Sequence, residues 1–290
     1  MEKIAVALHR TLGSDAAGDS LFGSVEEAVA APPPVAAQVP TQIRYTRTRS
    51  IEVHSAVLER HRVATLGGGT DADVFRMLRT ELLNEMRKND WRTLAITSPN
   101  KGAGKSTIAV NLAVSLALEV DHTALLVDAD LRDPDLRGLL ELPAGPGLSD
   151  YLTAQAPLEE LLLHPRNVGH LVVLPGGSLV ANSSELLRSP MMADLVRELR
   201  NRYPDRIVIF DLPPALSGAD TLALSTLMDA TIVLVEERKT RRADLERTLD
   251  LLRDCNIVGM VLNKSHQLPK PDPITTPEPG LLQRLLGRWA

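Results

Sequence analysis

A glycine-containing segment that directly follows an apolar run constrains the fold more than any other part of the chain. Residues 98–107 read Ser-Pro-Asn-Lys-Gly-Ala-Gly-Lys-Ser-Thr and come after Leu94-Ala95-Ile96. This order predicts a strand, a tight loop and a helix that runs from Ser106 to about Leu118. Because glycine permits unusual dihedrals and close approach, the loop N–H groups and the helix start can cradle an anion such as a nucleotide triphosphate.

The side chains of this loop fit phosphate binding. Lys105 is predicted to bridge the outer phosphates of ATP, and the Ser106 hydroxyl to ligate Mg²⁺. Loops of this kind usually place glycine five residues before Gly104, where this chain has Pro99. The alternative to nucleotide binding is a glycine-rich turn before an ordinary helix. The other predicted nucleotide contacts of the loop are Lys101, Gly102, Ala103, Gly104 and Thr107.

Carboxylates follow two further predicted strands. Asp128 and Asp130 come after the strand Ala124–Val127, and Asp211 comes after the strand Ile207–Phe210. Parallel strands place their carboxyl ends on the edge of the sheet where ligands bind. Asp128 and Asp211 are predicted to hold Mg²⁺ or its waters, and Asp130 to accept a proton from an attacking hydroxyl. Taken singly, each aspartate could instead cap a following helix.

Short Val, Ile and Leu runs alternate with helical patterns from residue 70 onward. This alternation predicts an α/β fold of the P-loop NTPase class, with a mostly parallel β-sheet and helices on both faces. The predicted strands are Thr93–Thr97, Ala124–Val127, Leu171–Leu174, Ile207–Phe210, Thr231–Val235 and Val258–Leu262. The predicted helices cover 70–88, 105–119, 190–202, 217–228 and 239–254, and Val74, Met77, Leu78, Leu82 and Met86 are expected on one face of the first.

Four regions are predicted along the chain. Residues 1–12 have the apolar spacing of a short amphipathic helix, and residues 13–69 have the composition of a disordered linker or irregular region. The P-loop domain is expected to cover residues 70–265. Residues 266–290 form a disordered proline-rich tail whose last eleven residues could form a short helix.

Composition limits the classes of function. The net charge of −5 over 290 residues argues against a general nucleic-acid partner, because such binding requires a basic face. A single cysteine, Cys255, allows no disulfide within the chain and fits a reducing cytoplasm. The chain contains no apolar run of the ~18 residues that span a bilayer, so any association with a membrane is expected to come through a partner or a surface helix.

Three motifs together resemble the bacterial tyrosine kinases of capsule and exopolysaccharide systems. They are Lys-Gly-Ala-Gly-Lys-Ser-Thr at 101–107, Leu-Leu-Val-Asp-Ala-Asp-Leu-Arg-Asp-Pro at 125–134 and Ile-Phe-Asp-Leu-Pro-Pro at 209–214. Further segments lie in the same order as in that family, and the resemblance covers about 70–265. It is strongest to the branch associated with exosortase-type loci. The further segments are 147–152, 174–177, 182–187 and 201–205, besides the opening Met-Glu-Lys-Ile-Ala-Val-Ala-Leu.

The resemblance implies a fold related to the MinD and ParA ATPases. It implies an ATP-dependent protein-tyrosine kinase that transfers the γ-phosphate with Mg²⁺ and regulates polysaccharide polymerisation or export. A membrane-embedded chain-length regulator, or co-polymerase, is the implied partner, which gives a cytoplasmic location against the inner face of the plasma membrane. The residues that inherit the ATP and Mg²⁺ roles are Lys105, Ser106, Asp128, Asp130 and Asp211.

Two further roles follow from the resemblance. The family's Glu-x-x-Arg-x-x-Arg helix, used in ring-like self-association, maps onto Asp73, Arg76 and Arg79, with aspartate in place of glutamate. An ordinary solvated helix face with charge pairs three residues apart is the alternative. Asn263 matches a position that contacts adenine in related ATPases, and a simple turn residue is the alternative there.

The chain also departs from the family. Ala103 stands where the family has glutamate, and Lys101 lies one residue beyond the signature lysine of MinD and ParA, whose position is Asn100. The family's C-terminal tyrosine cluster has no counterpart, since no tyrosine follows Tyr203. These departures keep open a regulatory ATPase that transfers no phosphate and switches assembly with a membrane polysaccharide co-polymerase. A ParA-type positioning ATPase is disfavoured by the Asp-Leu-Arg-Asp-Pro sequence that begins at Asp130.

Overall fold

A nine-stranded sheet forms the centre of the molecule. The computed structural model describes residues 3–7, 48–63, 69–119, 122–203 and 205–265. The strands are β1 (Lys3–Ala7), β2 (Arg49–Ile51), β3 (Thr93–Thr97), β4 (Thr123–Asp128), β5 (Leu163–Pro165), β6 (Leu171–Leu174), β7 (Arg206–Asp211), β8 (Ala230–Glu236) and β9 (Ile257–Ser265). Their order across the sheet is β1-β9-β8-β3-β7-β4-β6-β5-β2.

The inner strands are parallel and the edges are not. The six strands from β9 to β6 run in the same direction. At one edge β1 is antiparallel to β9, and at the other β5 is antiparallel to β6 and parallel to β2. The predicted α/β fold of the P-loop NTPase class with a mostly parallel sheet is therefore confirmed.

Helices cover both faces of this sheet. Alternate residues of β4 belong to different apolar layers, because successive side chains of a strand point to opposite faces. Leu126 packs in the layer that contains the helices Thr70–Lys88 and Lys105–Ala117, and Leu125 packs in the layer that contains the helices Leu148–Leu152 and Pro190–Arg202. The helices are α1 (Ser55–Arg60), α2 (Thr70–Lys88), α3 (Lys105–Ala117), α4 (Leu136–Leu139), α5 (Leu148–Leu152), α6 (Leu158–Leu161), α7 (Ser183–Leu187), α8 (Pro190–Arg202), α9 (Asp220–Ser225) and α10 (Arg242–Leu251).

Helix α2 has the predicted bounds but a slightly different buried face. Phe75, Leu78, Leu82 and Met86 are buried at the three- and four-residue spacing of one helix face. Met77, which was expected on that face, is 62% exposed. Phe75 belongs to the buried face because it lies three residues before Leu78, and its carbonyl accepts from Ser115 Oγ of α3 at 3.5 Å.

Two predictions for the N-terminal region are wrong. The helix expected over residues 1–12 is a strand at Lys3–Ala7, since the open edge of β9 offers backbone partners that outweigh a short helical pattern. The linker expected over residues 13–69 includes β2 and α1, and Val57, Leu58 and Val63 are buried in the core. The remainder of that linker, and the tail 266–290 with its expected helix, lie outside the described residues.

Within the described part of the chain, no helix is both long enough and apolar enough to cross a bilayer.

Candidate functional site

The phosphate loop connects β3 to α3 with the predicted geometry. Gly102 and Gly104 both have φ of +90°, a left-handed conformation that favours glycine. Lys105 begins α3 and is buried at the loop, and Ser106 and Thr107 follow in the first helical turn. The glycine conformations and the start of α3 beside them are the features by which such loops bind an anion.

The three predicted aspartates converge beside this loop. Asp128 and Asp211 are aligned partners on the adjacent strands β4 and β7. Asp128 is fully buried, Asp211 is 1% exposed and Asp130 is 9% exposed. The Ala129 N–H donates to the Asp211 carbonyl at 2.9 Å, which holds the two strand ends together. The strands therefore bring the sequence-predicted acids to one edge of the sheet.

Burial raises the pKa of all three carboxyl groups. It raises the pKa of Asp211 to about 7, against the opposing effects of the Lys105 ammonium and the Ser106 hydroxyl. Burial, and then the charge of Asp211, raise the pKa of Asp128 well above its usual range. The pKa of Asp130 is also raised by burial, with Lys105 acting in the opposite direction. Such a cluster of shifted acids is typical of functional sites.

The oxygen atoms of two of these carboxylates fit a metal ion. Asp128 Oδ1 and both Asp211 carboxylate oxygens are buried without a hydrogen-bond partner, whereas Asp128 Oδ2 accepts from the Leu136 N–H at 3.1 Å. The described residues contain no group of three or more His, Cys, Asp or Glu side chains able to hold a metal ion. The free oxygens of Asp128 and Asp211 fit Mg²⁺, which commonly binds one or two carboxylates together with phosphate oxygens.

Lys101 lies at the rim of the site. Its ammonium pairs with the Asp133 carboxylate, which raises the pKa of Lys101, and its side chain is 77% exposed. The neighbouring Asn100 donates from Nδ2 to Asp244 Oδ2 at 2.9 Å. Lys101 therefore connects the phosphate loop to the loop that follows β4.

Asn263 lies against the phosphate loop. Its Nδ2 donates to the Ala103 carbonyl at 2.7 Å, and its Oδ1 accepts from the Lys264 N–H at 2.8 Å. A Cβ added to Gly104 would overlap this amide nitrogen. Both ends of the Asn263 amide are thus engaged within the chain, at the back of the phosphate loop.

An ion pair between the half-exposed Arg132 and the buried Asp220, which the sequence did not predict, joins the loops that follow β4 and β7. Arg132 Nε donates to Asp220 Oδ2 at 3.0 Å and to Ser183 Oγ at 3.0 Å, and its Nη2 donates to Ser184 Oγ at 2.9 Å. The Asp220 side chain is almost fully buried. Arg132 and the two serines lie in quoted family segments, but no motif marks Asp220 as their partner.

The loop after β6 closes tightly beside Asp128. The Asp150 carboxylate accepts from the Gly147 N–H at 2.7 Å and from Ser178 Oγ at 3.0 Å. Gly177 has φ of +86°, and a Cβ there would overlap the Asp150 carboxylate and lie 2.6 Å from Ser149 Oγ. This position therefore requires glycine for both its conformation and its surroundings.

Replacing Gly177 with alanine is expected to destabilise the protein by about 1–3 kcal/mol, because the new methyl group meets Asp150 in a left-handed conformation. Urea-induced unfolding measures the change. Gly138→Ala is the matched control: a Cβ there meets nothing within 4 Å, so its unfolding free energy should be unchanged or slightly higher. Equal stability of the two variants would contradict the close approach at Gly177.

The predicted self-association residues differ in exposure: Asp73 and Arg76 are exposed, whereas Arg79 is partly buried. Asp73 and Arg76 form an exposed ion pair three residues apart on α2. Arg79 instead donates to the Ser115 carbonyl at 3.0 Å and pairs with Glu119. Arg79 thus fastens α2 to α3, and Asp73, Arg76 and the exposed Met77 form the outer face of the helix.

Comparisons with known proteins find a P-loop NTPase family and several tyrosine-protein kinases. The family described as ParA, NUBPL iron-transfer P-loop NTPase, matches residues 91–272. Tyrosine-protein kinase YwqD of Bacillus subtilis (strain 168) is 32% identical over 195 residues, covering 67% of this chain and 81% of YwqD. Tyrosine-protein kinase CpsD of Streptococcus agalactiae is 27% identical over 198 residues, covering 67% and 84%. The crystal structure of the VpsO kinase domain superposes with a TM-score of 0.61 at 28% identity, covering 72% of this chain and 97% of that domain.

Proposed function

The chain belongs to the bacterial tyrosine-protein kinase family of P-loop NTPases, and we propose that it is an ATP-dependent protein-tyrosine kinase. The observation that carries the proposal is the convergence of Lys105 with Asp128, Asp130 and Asp211 at the carboxyl edge of one parallel sheet. A phosphate-binding loop alone would support many reactions. Asp130 is a buried acid that is not assigned to the metal, and this supports transfer of the γ-phosphoryl group to a hydroxyl.

The phosphate loop binds the triphosphate of ATP in this proposal. Backbone N–H groups of the loop face the phosphates, and the Lys105 ammonium neutralises their charge. Asp128 and Asp211, with the Ser106 hydroxyl, would hold Mg²⁺, which supplies charge neutralisation between the outer phosphates when bound. The orphaned oxygens of Asp128 and Asp211 support this assignment.

Asp130 accepts the proton of the attacking tyrosine. The phenolic oxygen forms a bond to the γ-phosphorus, the bond from that phosphorus to the bridging oxygen breaks, and ADP leaves. The proton of the phenol passes to the Asp130 carboxylate. Burial raises the pKa of Asp130, which makes it a stronger proton acceptor than an exposed aspartate.

The acceptor tyrosine is on this chain or on a partner. Tyr151 is partly buried, and burial together with Glu198 raises the pKa of its hydroxyl. Tyr203 is 46% exposed, with the Arg206 guanidinium 4.0 Å from its ring centroid. Tyr203 is therefore the more accessible of the two described tyrosines, and Tyr45 lies outside the described residues.

The cellular role that we propose is the one the family resemblance implies. In this proposal the chain serves exopolysaccharide biosynthesis at the inner face of the plasma membrane, with a membrane-embedded co-polymerase as partner, and the relatives named tyrosine-protein kinases support the kinase part of it. The exposed Asp73, Arg76 and Met77 face of α2 supports assembly of several copies. A regulatory ATPase that switches this assembly without phosphoryl transfer remains the second candidate, because no tyrosine follows Tyr203 in the chain.

Incubation with labelled ATP and Mg²⁺, followed by phosphoamino-acid analysis, tests the proposal. The wild-type chain should yield phosphotyrosine on itself or on an added tyrosine-containing polypeptide, and Lys105→Met should abolish both labelling and ATP binding. Lys88→Met, an exposed site at the end of α2, is the matched control and should label like the wild type. ATP turnover without phosphotyrosine would favour the regulatory ATPase, and no ATP binding would refute both.

A further inference from the structure

We propose that Lys264 is a positioning residue that, with Asn263, turns the backbone N–H groups of Ala103 and Gly104 toward the bound phosphates. The inference rests on the proposed function, because it needs a nucleotide in the phosphate loop. In this proposal the end of β9 orients the phosphate loop by contacting its carbonyl groups, and it does not itself bind the phosphates.

Two consecutive side chains of β9 bind two consecutive carbonyl groups of the phosphate loop. Lys264 Nζ donates to the Gly102 carbonyl at 2.8 Å, and Asn263 Nδ2 donates to the Ala103 carbonyl at 2.7 Å. The Asn263 side chain is mostly buried, and its amide contacts the position of Gly104. The back of the loop is therefore held at adjacent peptide groups.

These two hydrogen bonds to carbonyl groups also fix the direction of two N–H groups, because the peptide unit is planar. In a planar trans peptide the C=O and the N–H of the same unit point in opposite directions, and the described residues contain no cis peptide bond. The Gly102 carbonyl belongs to the same unit as the Ala103 N–H, and the Ala103 carbonyl to the same unit as the Gly104 N–H. Because both carbonyls point toward β9, both N–H groups point away from it, into the anion cradle.

A β-bulge in β9 allows two neighbouring residues to reach the same loop. In the pairing with β1, Ala5 aligns with Leu262 but Lys3 aligns with Ser265, so β9 has one extra residue across this interval. Lys264 has φ of +57°, which is rare outside glycine. Consecutive side chains of a regular strand point to opposite faces, and a bulge redirects them. The bulge thus gives Lys264 access to the loop beside Asn263.

Glu236 at the end of β8 holds the lysine in place. Its Oε1 lies 3.1 Å from Lys264 Nζ, and its Oε2 lies 3.4 Å from Lys239 Nζ. Glu236 is mostly buried, whereas Lys239 is exposed and pairs with it without donating to the Gly102 carbonyl. Lys239 therefore shares the charge partner of Lys264 and lies beside the loop, with its Nζ 3.5 Å from where a Cβ of Gly102 would be, but among the hydrogen bonds of the described residues it makes none to a loop carbonyl.

Binding of MgADP and ATP turnover by the full chain test the inference. Lys264→Met should weaken MgADP binding about tenfold and raise KM for ATP by a similar factor. The value of kcat at saturating ATP should stay near that of the wild type, because the two N–H groups bind phosphate equally in the ground and transition states. Lys264→Arg, which can still donate to the Gly102 carbonyl, should recover part of the affinity.

The controls separate this inference from the proposed function and from misfolding. Lys239→Met removes an equal charge from Glu236 and should bind MgADP like the wild type. Urea unfolding without nucleotide should give similar midpoints for all three variants. A Lys264→Met protein that is folded and binds MgADP as tightly as the wild type would overturn the inference, as would an equal loss in Lys239→Met. A wild-type chain that binds no nucleotide would refute the proposed function itself.

Discussion

Replacing Asp130 with asparagine should lower the rate of phosphoryl transfer by about 10²–10⁴-fold, the usual contribution of a general base. Asparagine has nearly the shape of aspartate but cannot accept the proton of the tyrosine hydroxyl. Asp130 follows the end of β4 and is 9% exposed, so an isosteric amide should fit there without rearrangement. ATP binding should change little, because the metal and phosphate ligands are assigned to other residues.

The pH dependence gives this prediction a second readout. Burial raises the pKa of Asp130 above its ordinary value of 3.8. The active, deprotonated form is therefore lost on acidification at a higher pH than for an exposed aspartate, and kcat should fall as pH drops through the raised value. The residual rate of Asp130→Asn should lack this acidic decline.

Single-turnover transfer from labelled ATP measures the chemical step, and equilibrium titration with ATP measures binding. Asp254→Asn, an exposed change after α10, is the control and should keep nearly all of the transfer rate. A parallel loss of ATP affinity in Asp130→Asn would instead place Asp130 among the metal ligands. Full activity of Asp130→Asn would remove it from the chemistry altogether.

The sequence alone was enough to locate those site residues that lie in short local motifs. The glycines of the phosphate loop and the aspartates at strand ends are local patterns, and the parallel sheet brings them together by a general rule. Asp128 and Asp211 thus met as aligned strand partners although 83 positions separate them in the numbering. Their shifted pKa values depend on burial, which the sequence does not specify residue by residue.

The sequence alone could not predict the features that depend on contacts between distant parts of the chain. Lys3–Ala7 has a helical pattern, yet it becomes a strand because the edge of β9 is open to it. That pairing contains the bulge that brings Lys264 to the phosphate loop, so the role of Lys264 could not be seen in its own neighbourhood. Asp220 is similar: its partner Arg132 lies in a motif, but only the fold shows that they meet.

Replacing Asp211 with asparagine should have two opposite effects. It should raise the unfolding free energy of the nucleotide-free protein by about 1–4 kcal/mol near pH 8, because a buried negative charge disappears whose desolvation outweighs the attraction of the Lys105 ammonium. It should also abolish Mg²⁺-dependent nucleotide binding, because a ligand oxygen with negative charge is lost. Both carboxylate oxygens of Asp211 are buried without a partner, so the group destabilises the empty site and serves the occupied one.

The sign of the stability effect with pH follows from linkage. Burial raises the pKa of Asp211 from 3.8 to about 7, so the folded state binds this proton more tightly than the unfolded state does. The destabilisation by Asp211 is therefore absent below the unfolded value, grows as pH rises from about 4 to about 7, and is complete above that range. The stability gained in Asp211→Asn should shrink in the same way as pH falls.

Urea unfolding of the wild type and Asp211→Asn at several pH values, with and without MgADP, tests both effects. Asp229→Asn is the contrasting control, since that carboxylate accepts from the Arg92 and Thr93 N–H groups at 2.8 and 3.0 Å and pairs with Arg200. Its replacement should lower stability, because charge-assisted bonds are lost. MgADP should stabilise the wild type and Asp229→Asn but not Asp211→Asn. Destabilisation of the nucleotide-free Asp211→Asn protein would show that the buried carboxylate has a stabilising partner, and retained MgADP binding would exclude it as a metal ligand.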